Sequence, residues 1–200
     1  MEPRRAPNIL ICGTPGTGKS TTAEALAARV PSLRAVDVGA LVRDQKLHEG
    51  WDDETDSYIL DEDQLCDALE ERMEAGGVVV DYHGADLFPE RWFDLVVVLR
   101  TDNDVLYPRL EGRQYAPKKI TENVEAEIMQ VILDEARDAY AEEIVLELQS
   151  NSVEEMEATD PRRLSVLGEP SLPPARSKRP AVGMLLVAAA AAEMRSLNGP

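Results

Sequence analysis

Three stretches of the chain are apolar and stop on a glycine or a polar residue: residues 8–12, apolar after the leading Asn8, residues 78–80 and residues 95–99. Runs this short, Val- and Ile-rich and bounded by turn signals, predict strands buried on both faces. A fourth candidate, Ala35-Val36-Asp37-Val38, is weaker. Between the strands lie helical patterns: residues 20–29, rich in alanine and stopped near Pro31, and residues 40–46. Asp61 followed three residues later by Gln64 resembles a capping box, and Leu65, Leu69 and Met73 then share one helical face up to Gly76-Gly77. The acidic, turn-rich residues 50–56 predict a loop. After the last strand come a helix over 104–111 and a polar segment over 112–119. A long helix is predicted over 121–148, because Val124, Ile128, Ile132, Ala136, Tyr140, Ile144 and Leu148 recur every four residues.

Strands alternating with helices imply right-handed crossovers and an α/β fold, a parallel sheet flanked by helices on both faces. Two hundred residues with 44% apolar content suit one such domain. Composition shifts near Glu157. Beyond it come five prolines before residue 181 and a basic excess, the pattern of a flexible tail.

Charge narrows the partners. The net charge is −17, and residues 158–200 carry six basic against three acidic groups, so the first 157 residues hold −20. Such a surface disfavours anionic membranes and nucleic acid and favours a basic protein partner. Cys12 and Cys66, the two cysteines, have no metal-ligand spacing, which suits a reducing compartment. No apolar segment follows the N-terminal arginines as a secretory signal requires, and the apolar run 181–192 is too short to span a bilayer. The expectation is a soluble protein.

The chemistry concentrates after the first strand. Gly13-Thr14-Pro15-Gly16-Thr17-Gly18-Lys19-Ser20 fits G-x-x-x-x-G-K-[ST] between a strand and a helix, the context a phosphate loop requires. Glycines let backbone N–H groups wrap a phosphate, and the helix N-terminus adds its positive end. Lys19 supplies a charge for the outer phosphates of ATP, and the Ser20 hydroxyl is a ligand for Mg²⁺. Asp81, ending the strand 78–80, reads as the carboxylate of the Mg²⁺ shell. His83 falls at the same strand end, where open α/β sheets place their ligands.

Phosphoryl transfer also needs positive charge around the moving group. Arg109 and Arg113, four residues apart, are candidates to close over ATP from a lid. Arg43 is a candidate for the acceptor's phosphate, and Arg91 a further one.

Together these residues resemble adenylate kinases, most specifically the short-lid branch of the adenylate kinase isoenzyme 6 family. The resemblance rests on the Gly13–Lys19 loop, Ile59-Leu60-Asp61-Glu62-Asp63, Val80-Asp81-Tyr82-His83-Gly84, Phe88-Pro89-Glu90-Arg91-Trp92 and Leu99-Arg100-Thr101-Asp102. It continues through Glu143-Ile144-Val145 and covers about residues 8–156. It implies a nucleoside monophosphate kinase fold with five parallel strands, an AMP-binding segment near 37–60 and a lid near 112–122. ATP contacts would fall on Gly13, Pro15, Gly16, Thr17, Gly18, Lys19, Ser20, Thr21 and Arg113. Gly39, Arg43 and Arg91 would serve the acceptor, and Asp81 and His83 catalysis. The resemblance further implies an adenylate kinase with ATPase activity in the nucleus and cytoplasm. There it would act in small ribosomal subunit maturation, bound to a small-subunit ribosomal protein and the pre-ribosomal particle, with no sequence-specific nucleic-acid binding of its own. Two departures stand out: Ala40 replaces a frequent acidic residue, and the family's final aromatic-containing helix is absent after Glu157. Other readings of the loop are an assembly-factor ATPase without important kinase activity, or a P-loop kinase for another small molecule. A GTPase is disfavoured, since no Asn-Lys-x-Asp string occurs.

Overall fold

The computed structural model describes residue 4, residues 6–52 and residues 57–152. The chain divides into two compact units, Met1–Asn151 and Ser152–Pro200, and the architecture below is that of the first. The tail expected from Glu157 onward lies outside the described residues.

Five strands form one parallel sheet: β1 (Ile9–Cys12), β2 (Arg34–Asp37), β5 (Val78–Asp81), β6 (Leu95–Arg100) and β7 (Val145–Gln149). Their order is β2-β5-β1-β6-β7. The three continuous apolar runs are the three central strands, and every residue of β1 and β5 is buried. This is the reason those runs do not alternate: helices cover both faces. The chain leaves β1 toward β2 on one side, and β6 lies on the other. A crevice therefore opens at the carboxyl ends of β1 and β5, where such sheets bind ligands.

Helix α1 (Lys19–Arg29) follows the glycine loop, and α2 (Val38–Gln45) opens directly from β2. Asp37 caps α2 by accepting from the Ala40 N–H at 2.9 Å. Helix α3 (Glu62–Ala75) begins as expected, with the Asp61 carboxylate accepting from the Gln64 N–H at 3.0 Å. Leu65, Leu69 and Met73 are its buried face, and Gly76 ends it at φ 82°. Helix α4 spans Asn103–Gly112.

Two expectations fail. The predicted loop over 50–56 opens as a strand instead: residues 50–52 belong to β3 (His48–Asp52), which pairs antiparallel with β4 (Ser57–Leu60) in a two-stranded sheet. Residues 53–56 lie outside the described residues. Its stability comes from pairs across the strands that a local reading cannot register. The Trp51 and Tyr58 rings meet edge-on at 5.0 Å, and His48 stacks on Tyr58 at 4.2 Å.

The predicted helix over 121–148 is four elements, two α-helices, a 3-10 turn over Glu142–Ile144 and the strand β7. Helix α5 (Pro117–Ile128) starts earlier, with proline in its first turn, and Gln130 at φ 59° breaks it from α6 (Val131–Ala139). Ile128 is 55% exposed, so the four-residue recurrence does not mark one packing face. Residues 145–149 then pair with β6 from Val96↔Val145 to Arg100↔Gln149. The fifth strand lies inside the segment whose spacing reads as helix. Ladder hydrogen bonds to a neighbour 49 residues earlier in the chain outweigh helix periodicity here.

Candidate active site

The glycine loop leaves β1 at its buried end and enters α1 at Lys19. Gly13, Gly16 and Gly18 have φ of 143°, 97° and 93°, a region that side chains rarely adopt. A Cβ on Gly13 would stand 2.6 Å from the Leu99 carbonyl oxygen, and one on Gly16 would stand 2.9 Å from a Leu106 methyl. The loop is thus pressed against β6 and α4 and can be built only from glycine at these points.

Thr14 is the hub of the turn. Its carbonyl oxygen accepts from the Thr17 N–H at 3.2 Å, the Thr17 hydroxyl at 2.9 Å and the Lys19 Nζ at 3.1 Å. Lys19 is therefore turned back into the loop. Burial pulls its pKa down to about 8, against the charge of Asp81, while Arg113 adds to the lowering.

Asp81 ends β5, next to Ile11 of β1 on one side and Asp37 of β2 on the other. Burial raises its pKa, opposed by a hydrogen bond from the Ser20 hydroxyl and by Lys19, and reinforced by Asp37 and Glu24. Ser20, Lys19 and Asp81 thus form one cluster, as the sequence places them. Desolvation lowers the His83 pKa even though the residue is exposed overall, and Lys19 acts in the same direction. The His83 carbonyl accepts from the Gly13 N–H at 3.4 Å. Its ring, 4.2 Å from that of Tyr82, lines a cavity of about 270 Å³ with Glu62, Asp86 and Glu135.

The arginines separate. Arg109 reaches the loop, but its donors go to main-chain oxygens: Gly16 at 3.2 Å, Ser150 at 2.9 Å and Asn151 at 2.8 Å. In this arrangement it ties the loop to the end of β7. Arg113 is exposed at the C-cap of α4, near enough for its charge to reach Lys19. At the start of α2, its N-cap Asp37 and Arg43 flank Gly39, where a Cβ would lie 3.5 Å from the guanidinium and 3.2 Å from the carboxylate. This group follows the strand neighbouring Asp81. Arg91 pairs with Glu70 of α3 at 3.5 Å. Thr21 and Ser20 are exposed on the first turn of α1, and Pro15 is half-buried in the loop.

Sequence reasoning missed Glu127. It is 3% exposed at the end of α5, takes the Thr14 hydroxyl at 2.5 Å, and pairs with Arg100 at 2.6 Å. Nothing in its local pattern separates it from the other glutamates of that helix.

Glycines too crowded for a Cβ, a desolvated lysine and a hydroxyl–carboxylate pair are the donor set that Mg²⁺ and the phosphates of a nucleotide need. The comparisons agree. A family model described as an AAA domain matches residues 9–130. The adenylate kinase isoenzyme 6 homolog of Dictyostelium discoideum is 54% identical over 154 residues, covering 77% of this chain and 87% of the relative. The homolog of Caenorhabditis elegans is 48% identical over 170 residues, covering 84% and 93%. Among solved structures, a shikimate kinase from Acinetobacter baumannii in complex with shikimate superposes with a TM-score of 0.59 at 14% identity, covering 84% of this chain and 97% of that one. That likeness establishes the P-loop kinase fold. No helix among the described residues is long and apolar enough to cross a membrane. On its loop, its sheet and its relatives, the chain belongs to the adenylate kinase isoenzyme 6 family of P-loop nucleotide kinases.

Proposed function

We infer that this protein transfers the γ-phosphoryl group of ATP to AMP, with Mg²⁺ and with an accompanying ATPase activity. The observation that carries the reading is the cluster of Lys19, Ser20 and Asp81 at adjacent strand ends, with Gly39 and Arg43 following the next strand. Donor and acceptor ends of an in-line transfer then have separate anchors on one sheet edge. The loop N–H groups and Lys19 hold the donor phosphates, and Arg113 adds charge from the lid segment near 112–122. Arg43 holds the acceptor's phosphate from the segment near 37–60. Mg²⁺, when bound, supplies charge neutralisation of the phosphates, and Ser20 with Asp81 would hold it. His83 stays neutral near pH 7 and orients a hydroxyl or a water at the strand end. Residues 1–156 form the kinase domain in this reading, and 157–200 a separate tail.

A role in the nucleus and cytoplasm in small-subunit ribosome maturation fits the same reading. The −20 charge of the first 157 residues suits a basic ribosomal protein. The decisive test is a phosphoryl-acceptor panel with ATP, with and without such a partner. ADP formation fastest with AMP supports the reading, and a dominant non-nucleotide acceptor overturns it.

The depressed Lys19 pKa sets a pH dependence. In the free protein Lys19 is charged below about 8 and loses its proton above it. The kcat/KM for ATP is expected to fall as pH rises through about 8. Bound phosphates favour the ammonium, so the corresponding fall in kcat lies at higher pH. Stability runs the other way. The folded pKa lies below the ordinary 10.5, so the unfolded chain binds the extra proton between about 8 and 10.5, and this group's contribution to stability rises with pH across that window. Parallel pH profiles of turnover and of thermal unfolding check both signs.

A further inference from the structure

The phosphate loop is gripped by the two helices that flank the lid segment. Leu106 and Leu110 of α4, with Ile120 of α5, form a small apolar cluster that Gly16 packs against. Glu127, in the last turn of α5, makes the second grip. Its Oε1 takes the Arg100 Nε at 2.6 Å and the Thr101 N–H at 3.1 Å, its Oε2 takes the Thr14 hydroxyl at 2.5 Å, and its main-chain oxygen takes the Arg100 Nη2 at 2.9 Å. Arg100 extends the chain to Glu147 of β7 at 3.3 Å.

A buried ion pair is weak evidence for stability, because apolar residues of similar volume do as well or better. Arg100 at the end of β6 and Thr101 just after it already satisfy one carboxylate oxygen. The arm to Thr14 does something different, since it reaches into the loop that holds the nucleotide. Thr14 is held at both ends, its hydroxyl by Glu127 and its carbonyl by Lys19 and Thr17. Thr14 thus links α5, through its hydroxyl, to the carbonyl oxygen on which Lys19 rests.

We propose that Glu127 is a positioning residue that couples the lid-bearing helix α5 to the phosphate loop, through the Thr14 hydroxyl to Lys19. The coupling rests on the ATP-site reading above. It makes Thr14 and Glu127 act as one unit in nucleotide affinity, although Glu127 itself touches no phosphate in this role.

The test uses the full chain and titrates the non-hydrolysable analogue AMP-PNP with Mg²⁺ by calorimetry, with the Tm of each ligand-free variant alongside. Thr14→Val keeps the shape and the Glu127–Arg100 pair but removes the hydroxyl. It is expected to weaken affinity about tenfold, the scale of one charge-assisted hydrogen bond. Thr14→Ser is expected to recover most of that loss. Glu127→Gln should weaken affinity comparably, and the double variant should be little worse than either single one, because the two residues share one path. A bond with a purely structural role would lower Tm and leave the affinity of the folded protein unchanged, and a Thr14→Val protein that behaves so overturns the proposal. So does a Thr14→Ser protein as weak as Thr14→Val, or strictly additive losses. A wild-type chain that binds no AMP-PNP overturns the ATP-site reading and the coupling together. Wild-type binding with unaltered Thr14→Val binding overturns the coupling alone.

Discussion

Lys19→Ala is expected to reduce ADP formation from ATP and AMP by about 10²–10³ or more, the scale of removing a preorganised charge from a transferring phosphoryl group. The same substitution should leave the Tm of the ligand-free protein unchanged or raise it. Lys19 is desolvated in the loop, and its pKa of about 8 records that the folded state holds its charge at a cost. Its contact with the Thr14 carbonyl at 3.1 Å recovers part of that cost. Removing the side chain removes both, while Thr17 still satisfies the Thr14 carbonyl through its N–H and hydroxyl. Activity and stability thus move in opposite directions, the pattern of a group kept for function. Lys19→Arg should not restore turnover, because a planar fork cannot occupy the place of a compact ammonium within the turn. A coupled ADP assay and a thermal melt on the same preparations decide the matter, and undiminished turnover in the alanine variant would refute the site assignment.

Gly13→Ala carries the second large effect, and here stability itself should fall. At φ 143° an alanine is strained whatever the space, and its Cβ would meet the Leu99 carbonyl oxygen at 2.6 Å. That oxygen cannot retreat, because Leu99 lies inside β6 and pairs with Leu148 of β7. Backbone strain and the clash together are expected to cost about 2–4 kcal/mol, lowering Tm by about 5–15 °C for a domain of this size. Gly50→Ala is the matched control. A Cβ there meets nothing within 4 Å, and the residue has no positive φ. Its effect should stay within about 0.5 kcal/mol. Equal melting shifts for the two variants would show that the Gly13 contact does not constrain the loop.

Much of the architecture is legible in the residues alone, for physical reasons. The runs 9–12, 78–80 and 95–99 are apolar at successive positions because their strands are covered on both faces, and they are the three central strands. Helix α3 announces its start through Asp61 and Gln64 and its buried face through Leu65, Leu69 and Met73, since cap and stripe are both local properties. The glycine loop is legible for the same reason. Its spacing encodes a backbone path, and the three glycines adopt the φ values that path requires.

What the residues did not disclose depends on partners distant in sequence. Val145–Gln149 repeats as part of a helix until β6 offers it a ladder, and Gln130 gives no local sign of the turn that separates α5 from α6. The pairing of His48–Asp52 with Ser57–Leu60 brings together aromatic rings from two strands. Arg109 was legible as a residue of the loop's surroundings, but only the end of β7 reveals that its guanidinium spans Gly16, Ser150 and Asn151. Glu127 is one of several glutamates on its helix until folding brings it against Thr14, 113 residues earlier. The sequence by itself therefore determined the glycine loop and its lysine, because those are set by short-range geometry. The tertiary structure alone decided what holds that loop in place, because buried hydrogen bonds and ion pairs form between segments whose proximity no local pattern records.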